Sequence, residues 1–149
     1  MSLRGHLTFI MNKWDKLFID IALRMSEMSK STRLKVGAVA VKDGHILCTS
    51  YNGTVSNYGD DDLEDENGLT KPDVIHAEEN ILCQAALHGI SLRGAALYIT
   101  HNPCRGCSSK IAQSGLVKVK YLLDYHDQSG IEKLKQYEIK VEKLNYEKD

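Results

Sequence analysis

The stretch "HNPCRGC", residues 101–107, places Cys104 and Cys107 three positions apart, in a chain with only two other cysteines. It follows "AALYIT", residues 95–100, a predicted β-strand, and opens a predicted helix over residues 104–114 that is ended by Gly115. A helix start offers free N–H groups and a partial positive charge, which lower the pKa of a cysteine and favour the thiolate. The stretch therefore predicts a metal or redox site at a strand-to-helix turn.

The pattern on both sides of this turn predicts the remaining elements. Apolar residues recur every three or four positions over residues 12–28, which indicates an amphipathic helix with Asn12 as its N-cap. "KVGAVAV" and "HILCTSYN", residues 35–41 and 45–52, predict a β-hairpin closed by Asp43-Gly44. A second helix over residues 76–88 ends at Gly89. Further predicted elements are a strand over 117–123, a helix over 131–137 and a strand over 139–144.

The order α-β-β-α-β-α-β-α-β predicts an α/β fold of three layers. Strands that alternate with helices form a mixed or mostly parallel sheet with helices on both faces. We expect five strands in this central sheet. At 149 residues the chain is long enough for one domain over residues 1–149 and contains no linker or repeat.

Charge and termini limit the partners and the compartment. The chain is 42% hydrophobic, 26% charged and has a formal net charge of −1, which disfavours binding to nucleic acid. Its N-terminus, "MSLRGHLTFI", fits neither a signal peptide nor a membrane span, so we expect a cytoplasmic protein that does not bind membranes. Residues 1–10 are expected to be a flexible extension or a segment foreign to the domain. Residues 54–75 are acidic and weakly periodic, and predict a long loop that orders with a partner.

A second strand-to-helix turn, "HAEEN" at residues 76–80, supplies the groups that the two cysteines lack. If His76 converges with Cys104 and Cys107, one nitrogen and two sulfurs suit Zn²⁺ and leave a fourth position for water. Such a zinc ion is catalytic, and Glu78, two residues from His76, is the candidate proton carrier. Glu79 points about 100° further round the helix and is expected to be solvated or paired.

Other candidate ligands have simpler interpretations. Cys48 and Cys83 lie in apolar contexts typical of structural thiols, so one zinc ion per chain is expected. His88 is predicted at a helix C-terminus, where a positive charge is favourable without a metal. His101 could support the cysteine turn from outside the ligand set. The acidic run at residues 60–62 is either a solvated loop or a Mg²⁺ site beside a triphosphate.

The combination of His-x-Glu with Pro-Cys-x-x-Cys resembles the zinc-dependent cytidine deaminase-like superfamily. Over residues 14–141 the chain is similar to the deoxycytidylate (dCMP) deaminase family, in particular its phage-type members. The similar stretches are "TRLKVGAVAV" (32–41), "SYNG" (50–53), "HAEEN" (76–80) and "YLLDYHD" (121–127). The polar insertion of roughly twenty residues before "HAE" is also typical of this family, and tRNA adenosine deaminases usually lack it.

The resemblance implies hydrolytic deamination of dCMP to dUMP with release of ammonia. Glu78 would deprotonate water for attack on carbon 4 of cytosine and pass protons to the ring nitrogen and the departing ammonia. Asn52 matches the contact to sugar and base, and Tyr125 and His126 match positions beside the pyrimidine. The 5′-phosphate requires cations, for which the candidates are Arg33, Lys35 and Arg24.

The family also implies regulation and assembly. Its members are typically homohexamers, activated by dCTP with Mg²⁺ and inhibited by dTTP, with effector binding at the turn that here is Tyr51, Asn52 and Gly53. The family's usual turn begins with glycine, where this chain has Ser50. If that position required positive φ, serine would strain it.

Two alternatives remain open at this point. The first is deamination of another cytosine nucleoside or nucleotide, or of adenosine in RNA. The second is a non-enzymatic binding module that zinc stabilises, which would need a fourth protein ligand and would leave Glu78 without a role.

Overall fold

The computed structural model describes residues 8–56, 58 and 62–146, with backbone only for residues 8–10. In chain order the described elements are β1 Thr8–Ile10, α1 Lys13–Ser26, β2 Gly37–Lys42, β3 His45–Tyr51, α2 Ala77–His88, β4 Ala96–His101, α3 Arg105–Gln113, β5 Lys118–Leu123, α4 Ser129–Gln136 and β6 Lys140–Asn145. Among these helices, none combines the length and the apolar character needed to cross a membrane.

The strands form one mixed sheet in the order β1-β6-β5-β4-β2-β3. The four strands β4, β5, β6 and β1 run parallel to one another, while β2 is antiparallel to both β3 and β4. The predicted α/β fold is confirmed, and all five predicted strands occur. The sheet gains β1 as a sixth strand because residues 8–10 pair with residues 143–145. Three residues are too few for side-chain alternation to indicate a strand.

Two apolar cores on opposite faces of the sheet hold the three layers together. On one face α2, α3 and α4 cover the sheet, with a core that includes Ala38, Ile81, Leu97, Ile99, Ile111, Val119 and Leu134. On the other face α1 packs through Phe18, Ile19 and Ala22 on Val39, Val41 and Tyr98. Because successive strand residues face opposite sides, β2 contributes alanines to one core and valines to the other. The starts of α2 and α3 lie near the same end of the sheet, where β3 and β4 end.

Several element boundaries lie at residues whose local conformational preferences predict them. The Asn12 side chain accepts a hydrogen bond of 2.8 Å from the Asp15 N–H, as an N-cap does. Asp43 and Gly44 have φ of 52° and 78°, the two positive values that a tight hairpin turn requires. Gly89 ends α2 in the left-handed conformation. These three predictions are therefore confirmed.

The described part of the 54–75 segment packs on its own chain. Leu63 is 2% exposed and Glu64 is 7% exposed, although neither belongs to a helix or strand. Glu64 and Thr70 form an isolated β-bridge, and Gly53 and Ile75 form another. A buried leucine and a buried carboxylate anchor residues 62–75 to the rest of the chain. The expectation that the segment orders with a partner stays a prediction. Residues 60 and 61 of the acidic run lie outside the described part.

Candidate active site

The structure brings together the four residues that the two turns supply. The ligand atoms of His76, Glu78, Cys104 and Cys107 all lie within 4.8 Å of one another. His76 is the N-cap of α2 and Cys104 the N-cap of α3, and both have extended backbones. The Nδ1 atom of His76 lies 3.7 Å from Sγ of Cys104 and 3.4 Å from Sγ of Cys107. The two helix starts therefore face each other.

The geometry of this cluster fits a tetrahedral zinc site. At a tetrahedral angle, bond lengths of about 2.3 Å to sulfur and about 2.0 Å to nitrogen predict a nitrogen-to-sulfur separation of about 3.5 Å. The two separations above lie on either side of this value. Nitrogen and sulfur donors also suit Zn²⁺ better than they suit Mg²⁺. Within residues 8–56, 58 and 62–146, this is the one group of three or more histidine, cysteine, aspartate or glutamate side chains that could hold a metal ion.

The ionisable groups of the cluster shift one another's pKa values. Hydrogen bonds from Cys107 and His76 lower the pKa of Cys104 to about 4. The hydrogen bond to Cys104 raises the pKa of His76 to about 9. The neighbouring Cys104 sulfur and burial raise the pKa of Cys107. Two adjacent thiolates are therefore stable together only when a cation compensates their repulsion.

Glu78 and Glu79 are adjacent in sequence but lie in different environments. Glu78 is buried, and burial raises its pKa to about 7, a value suited to both accepting and donating protons. Glu79 accepts a hydrogen bond of 3.1 Å from the His76 N–H and forms an ion pair with Lys110 of α3. As the helix geometry predicted, Glu79 is paired and lies outside the cluster. Glu79 thereby connects the start of α2 to the last turn of α3 from outside the cluster.

A close approach of α4 supports the cysteine turn. A Cβ atom on Gly130 would lie 2.1 Å from the Pro103 carbonyl oxygen, so only glycine fits there. The Ser108 hydroxyl lies within hydrogen-bond distance of the Gly130 oxygen, at 2.8 Å, and of the Cys104 oxygen, at 3.1 Å. The turn that carries both cysteines is therefore packed against a third element.

The cluster forms part of the wall of a cavity of about 360 Å³. His76, Glu78 and Cys104 contribute to this wall. Residues from three other segments complete it, including Ser31, Arg33, Asn52, Thr70, Val74, Asn102, Tyr125 and His126. A volume of this size is at the lower end of the range for small-molecule sites.

Asn52 lies in the cavity wall, with its side chain attached to a neighbouring segment. Its Oδ1 accepts a hydrogen bond of 2.9 Å from the Val36 N–H, and its Nδ2 donates one of 2.8 Å to the Leu34 oxygen. One N–H and one lone pair of the amide are not used in these bonds. Tyr51 and Gly53, the predicted effector residues, are not among the residues that line the cavity.

Ser50 is not strained by its conformation. It lies in β3, and the described non-glycine residues with positive φ are Asp43 and Glu138. The buried Ser50 hydroxyl instead donates a hydrogen bond of 2.7 Å to the Ala77 oxygen in the first turn of α2. The serine therefore links the end of the hairpin to the helix that carries His76 and Glu78.

Tyr125 and His126 line the cavity as predicted, with ring centroids 4.2 Å apart. Their position depends on Asn102, a residue that the sequence reasoning missed. Asn102 is 3% exposed; its Oδ1 accepts from the Tyr125 N–H at 2.5 Å, and its Nδ2 donates to the Asp127 oxygen at 3.1 Å. Its place between a strand and the Pro103 turn was the available signal, because a buried asparagine there must satisfy nearby backbone groups.

Of the three candidate phosphate ligands, the structure brings only Arg33 to the cavity. Its Nη1 lies 3.5 Å from the Thr70 hydroxyl at the outer part of the wall. Lys35 donates a hydrogen bond of 3.0 Å to the Ser29 oxygen, and Arg24 pairs with Glu27 on the exposed side of α1. The prediction of Lys35 and Arg24 rested on sequence proximity alone, which does not give the direction of a long side chain.

The other candidate metal ligands lie outside the cluster. His101 lines the cavity with its Nδ1 2.9 Å from the Thr100 hydroxyl, and burial lowers its pKa. Cys48 is half-buried with Sγ 3.9 Å from the Ile81 oxygen, while Cys83 is exposed. His88 is in the last turn of α2.

Comparison with protein families identifies the same region. Residues 12–123 match the family model described as the cytidine and deoxycytidylate deaminase zinc-binding region. A deoxycytidylate deaminase of Mycobacterium phage D29 is 36% identical over 128 residues, which cover 72% of this chain and 93% of that protein. ComE operon protein 2 of Bacillus subtilis is 34% identical over 75% of this chain, but the match spans only 60% of that protein.

Solved structures give a matching result. The dCMP deaminase of cyanophage S-TIM5, in complex with dCMP and dUMP, aligns with a TM-score of 0.86 and 40% identity. The alignment covers 89% of this chain and 98% of the cyanophage chain. A tRNA:A34 deaminase shares the fold at 20% identity and a TM-score of 0.58.

Proposed function

The chain belongs to the cytidine and deoxycytidylate deaminase family, and on this basis we propose that it converts dCMP to dUMP and ammonia by hydrolysis. The observation that carries the proposal is the position of buried Glu78 beside His76, Cys104 and Cys107 in the wall of the cavity. A proton carrier and a zinc-type donor set beside a cavity are the two parts that hydrolytic deamination requires. The 40% identity to a chain that binds dCMP and dUMP favours this substrate.

His76, Cys104 and Cys107 would hold the zinc ion, and Glu78 would carry protons. When bound, zinc would lower the pKa of a water molecule towards neutrality. Glu78, with a pKa of about 7, would accept a proton from the water molecule that attacks carbon 4 of the cytosine. Glu78 would pass this proton to the ring nitrogen. It would then take the remaining proton from the hydroxyl added at carbon 4 and deliver it to the amino group, which leaves as ammonia as the carbonyl forms. One carboxylate serves both transfers because burial keeps its two protonation states close in free energy.

The remaining wall would orient the nucleotide. Asn52 has one N–H and one lone pair for the sugar and base, and its two backbone hydrogen bonds hold it in place. Tyr125 and His126 would contact the pyrimidine. Arg33 would pair with the 5′-phosphate. Among the described residues that line the cavity, it is the one with an arginine or lysine side chain.

The same proposal includes regulation and assembly as in the resembled family. Activation by dCTP with Mg²⁺ and inhibition by dTTP would act at the turn of Tyr51, Asn52 and Gly53, which matches the family's pattern except at Ser50. The homohexamer rests on the resemblance to the family alone. A rate of dCMP turnover that dCTP and dTTP leave unchanged would contradict the regulatory part. Sedimentation of the protein as a monomer would contradict the hexamer.

The test is ammonia release from dCMP, dCTP and deoxycytidine by the intact protein and by Glu78→Gln. We expect selective turnover of dCMP by the intact protein and a loss of about 10²–10⁴-fold in the variant, with about one zinc ion per chain in both. Glu79→Gln is the matched control, because it changes the adjacent carboxylate outside the cluster. Zinc in the intact protein without turnover of any of the three substrates, even with dCTP and Mg²⁺ added, would favour a binding module instead.

A further inference from the structure

Glu64 is a buried carboxylate that the proposed reaction does not use. It lies in the 54–75 segment, is 7% exposed, and is far in sequence from the groups that it contacts. Its Oε2 accepts a hydrogen bond of 2.6 Å from the Ser31 hydroxyl. Its Oε1 accepts two from Thr32, at 3.1 Å from the N–H and 2.9 Å from the hydroxyl. Buried carboxylates are rare unless their oxygens are satisfied in this way.

The groups that Glu64 binds belong to the segment that forms the cavity wall. Ser31, Arg33, Leu34 and Val36 all line the cavity. The Ser31 hydroxyl that donates to Glu64 also accepts hydrogen bonds from the N–H groups of Arg33 and Leu34, at 3.2 and 3.1 Å. Glu64 therefore fixes the orientation of a hydroxyl on which the backbone at Arg33 depends.

A second attachment holds the same segment from the other end. Asn52 binds the Leu34 oxygen and the Val36 N–H, while Glu64 binds Ser31 and Thr32. Arg33 lies between these attachments, and its Nη1 faces Thr70 of the same segment that carries Glu64. The backbone before and after Arg33 is thus fixed, whereas its own side chain is exposed and makes a long contact of 3.5 Å.

We infer that Glu64 is a positioning residue that fixes Arg33 for the charged end of the ligand, a phosphate monoester on the sugar. The inference rests on the proposed function and extends it to residues that do not touch the nucleotide. Because a guanidinium pairs with phosphate through two hydrogen bonds of defined direction, a displaced backbone at Arg33 reduces phosphate binding more than base binding. Glu64 thereby makes the inserted segment part of the phosphate selectivity of the site.

The test is calorimetric titration of the zinc-loaded protein with dUMP and with deoxyuridine, which lacks the phosphate. For Glu64→Gln we expect the Kd for dUMP to rise about tenfold, while the Kd for deoxyuridine changes by less than about twofold. Glu66→Gln is the matched control: it removes the same charge from an exposed position in the same segment and should leave both constants unchanged. Equal weakening of both ligands by Glu64→Gln would indicate a general structural role and overturn the inference.

A double-variant cycle tests the route through Arg33. If Glu64 acts through Arg33, the combined Glu64→Gln and Arg33→Gln variant should bind dUMP no more weakly than Arg33→Gln alone. Additive losses would overturn the inference. If Glu64→Gln does not fold, Thr32→Val removes one hydrogen-bond donor to Glu64. This variant should raise the Kd for dUMP about threefold with little change in the Kd for deoxyuridine, since one hydrogen bond of several is lost.

These outcomes separate the inference from the proposed function. An intact protein that deaminates dCMP, together with a Glu64→Gln variant that binds dUMP as Glu66→Gln does, contradicts the inference alone. An intact protein that neither binds dUMP nor deaminates dCMP contradicts both.

Discussion

The Ser50 hydroxyl donates a hydrogen bond of 2.7 Å to the Ala77 oxygen, across 27 residues of sequence. This bond joins the end of β3 to the first turn of α2, where His76 and Glu78 lie. Both partners are buried, so water cannot replace the hydroxyl when it is removed. The strand therefore has a direct influence on the helix start that supplies the candidate ligand and proton carrier.

For Ser50→Ala we expect the free energy of unfolding to fall by about 1–2 kcal/mol, because the Ala77 oxygen loses a buried partner. Urea unfolding of the zinc-loaded protein measures this loss. Ser91→Ala is a suitable control, since the Ser91 hydroxyl accepts its hydrogen bond from Arg93 at an exposed site. Equal changes in the free energy of unfolding of the two variants would show that the Ser50 hydrogen bond stabilises the fold no more than an exposed one does.

Removal of the metal should abolish activity reversibly. A chelator is expected to eliminate dCMP turnover and lower the melting temperature, because two sulfurs and one nitrogen at two helix starts lose their common partner. Addition of about one equivalent of Zn²⁺ per chain should restore both. Cys83→Ser, at an exposed position outside the cluster, should behave as the intact protein does. Turnover that survives complete metal removal would exclude the zinc-dependent reaction.

Gly130→Ala should displace the turn that carries Cys104 and Cys107, or α4, which packs against it. The added Cβ would lie 2.1 Å from the Pro103 oxygen, so either α4 or the turn must move, at a cost of about 1–3 kcal/mol in unfolding free energy. We also expect faster transfer of zinc to a chromogenic chelator. Gly106→Ala is the matched control in the same turn, because no atom lies within 4 Å of its added Cβ. Zinc release at the rate of the intact protein would show that α4 does not support the site.

Asn102→Ala should release the segment that carries Tyr125 and His126. Three hydrogen bonds connect the Asn102 side chain to the Tyr125 N–H, the Asp127 oxygen and the Gln128 side chain. Their loss leaves buried backbone groups unpaired, and we expect KM for dCMP to rise about tenfold. Steady-state kinetics on the folded variant measures this. Asn67→Ala, at an exposed loop position, should leave KM unchanged.

The stabilising effect of Glu64 should depend on pH. Hydrogen bonds from Ser31 and Thr32 lower the pKa of Glu64 from 4.5 to about 2 in the folded protein. Folding therefore favours the ionised form, so the stabilisation is complete above pH 4.5 and is lost as the pH falls towards 2. We expect the gap in unfolding free energy between the intact protein and Glu64→Gln to narrow over this interval. A gap that stays constant from pH 7 to pH 3 would contradict this assignment.

Much of the site followed from the sequence because its chemistry is local. Cys104 and Cys107 lie on one turn, His76 and Glu78 lie on another, and the order of strands and helices implied that the two turns meet. The caps at Asn12 and Gly89 and the turn at Asp43-Gly44 were predictable because each depends on one or two residues.

The features that the sequence did not reveal depend on contacts between distant segments. The pairing of β1 with β6 requires the folded sheet, and the direction of the Lys35 side chain depends on the Ser29 carbonyl. Asn102 and Glu64 resemble ordinary polar loop residues until the backbone groups that they satisfy are known. Periodicity gives the buried face of an element and cannot identify a buried polar residue in an irregular segment.

His76 and Cys104 are the N-caps of their helices, so the ordering of each helix start is coupled to metal binding. The first backbone hydrogen bonds of these helices include Asn80 N–H to the His76 oxygen, at 2.8 Å, and Cys107 N–H to the Cys104 oxygen, at 3.2 Å. Terminal turns normally open more often than helix centres do. Amide hydrogen exchange at Asn80 and Cys107 should therefore slow as zinc binds, which makes these two amides local reporters of metal occupancy.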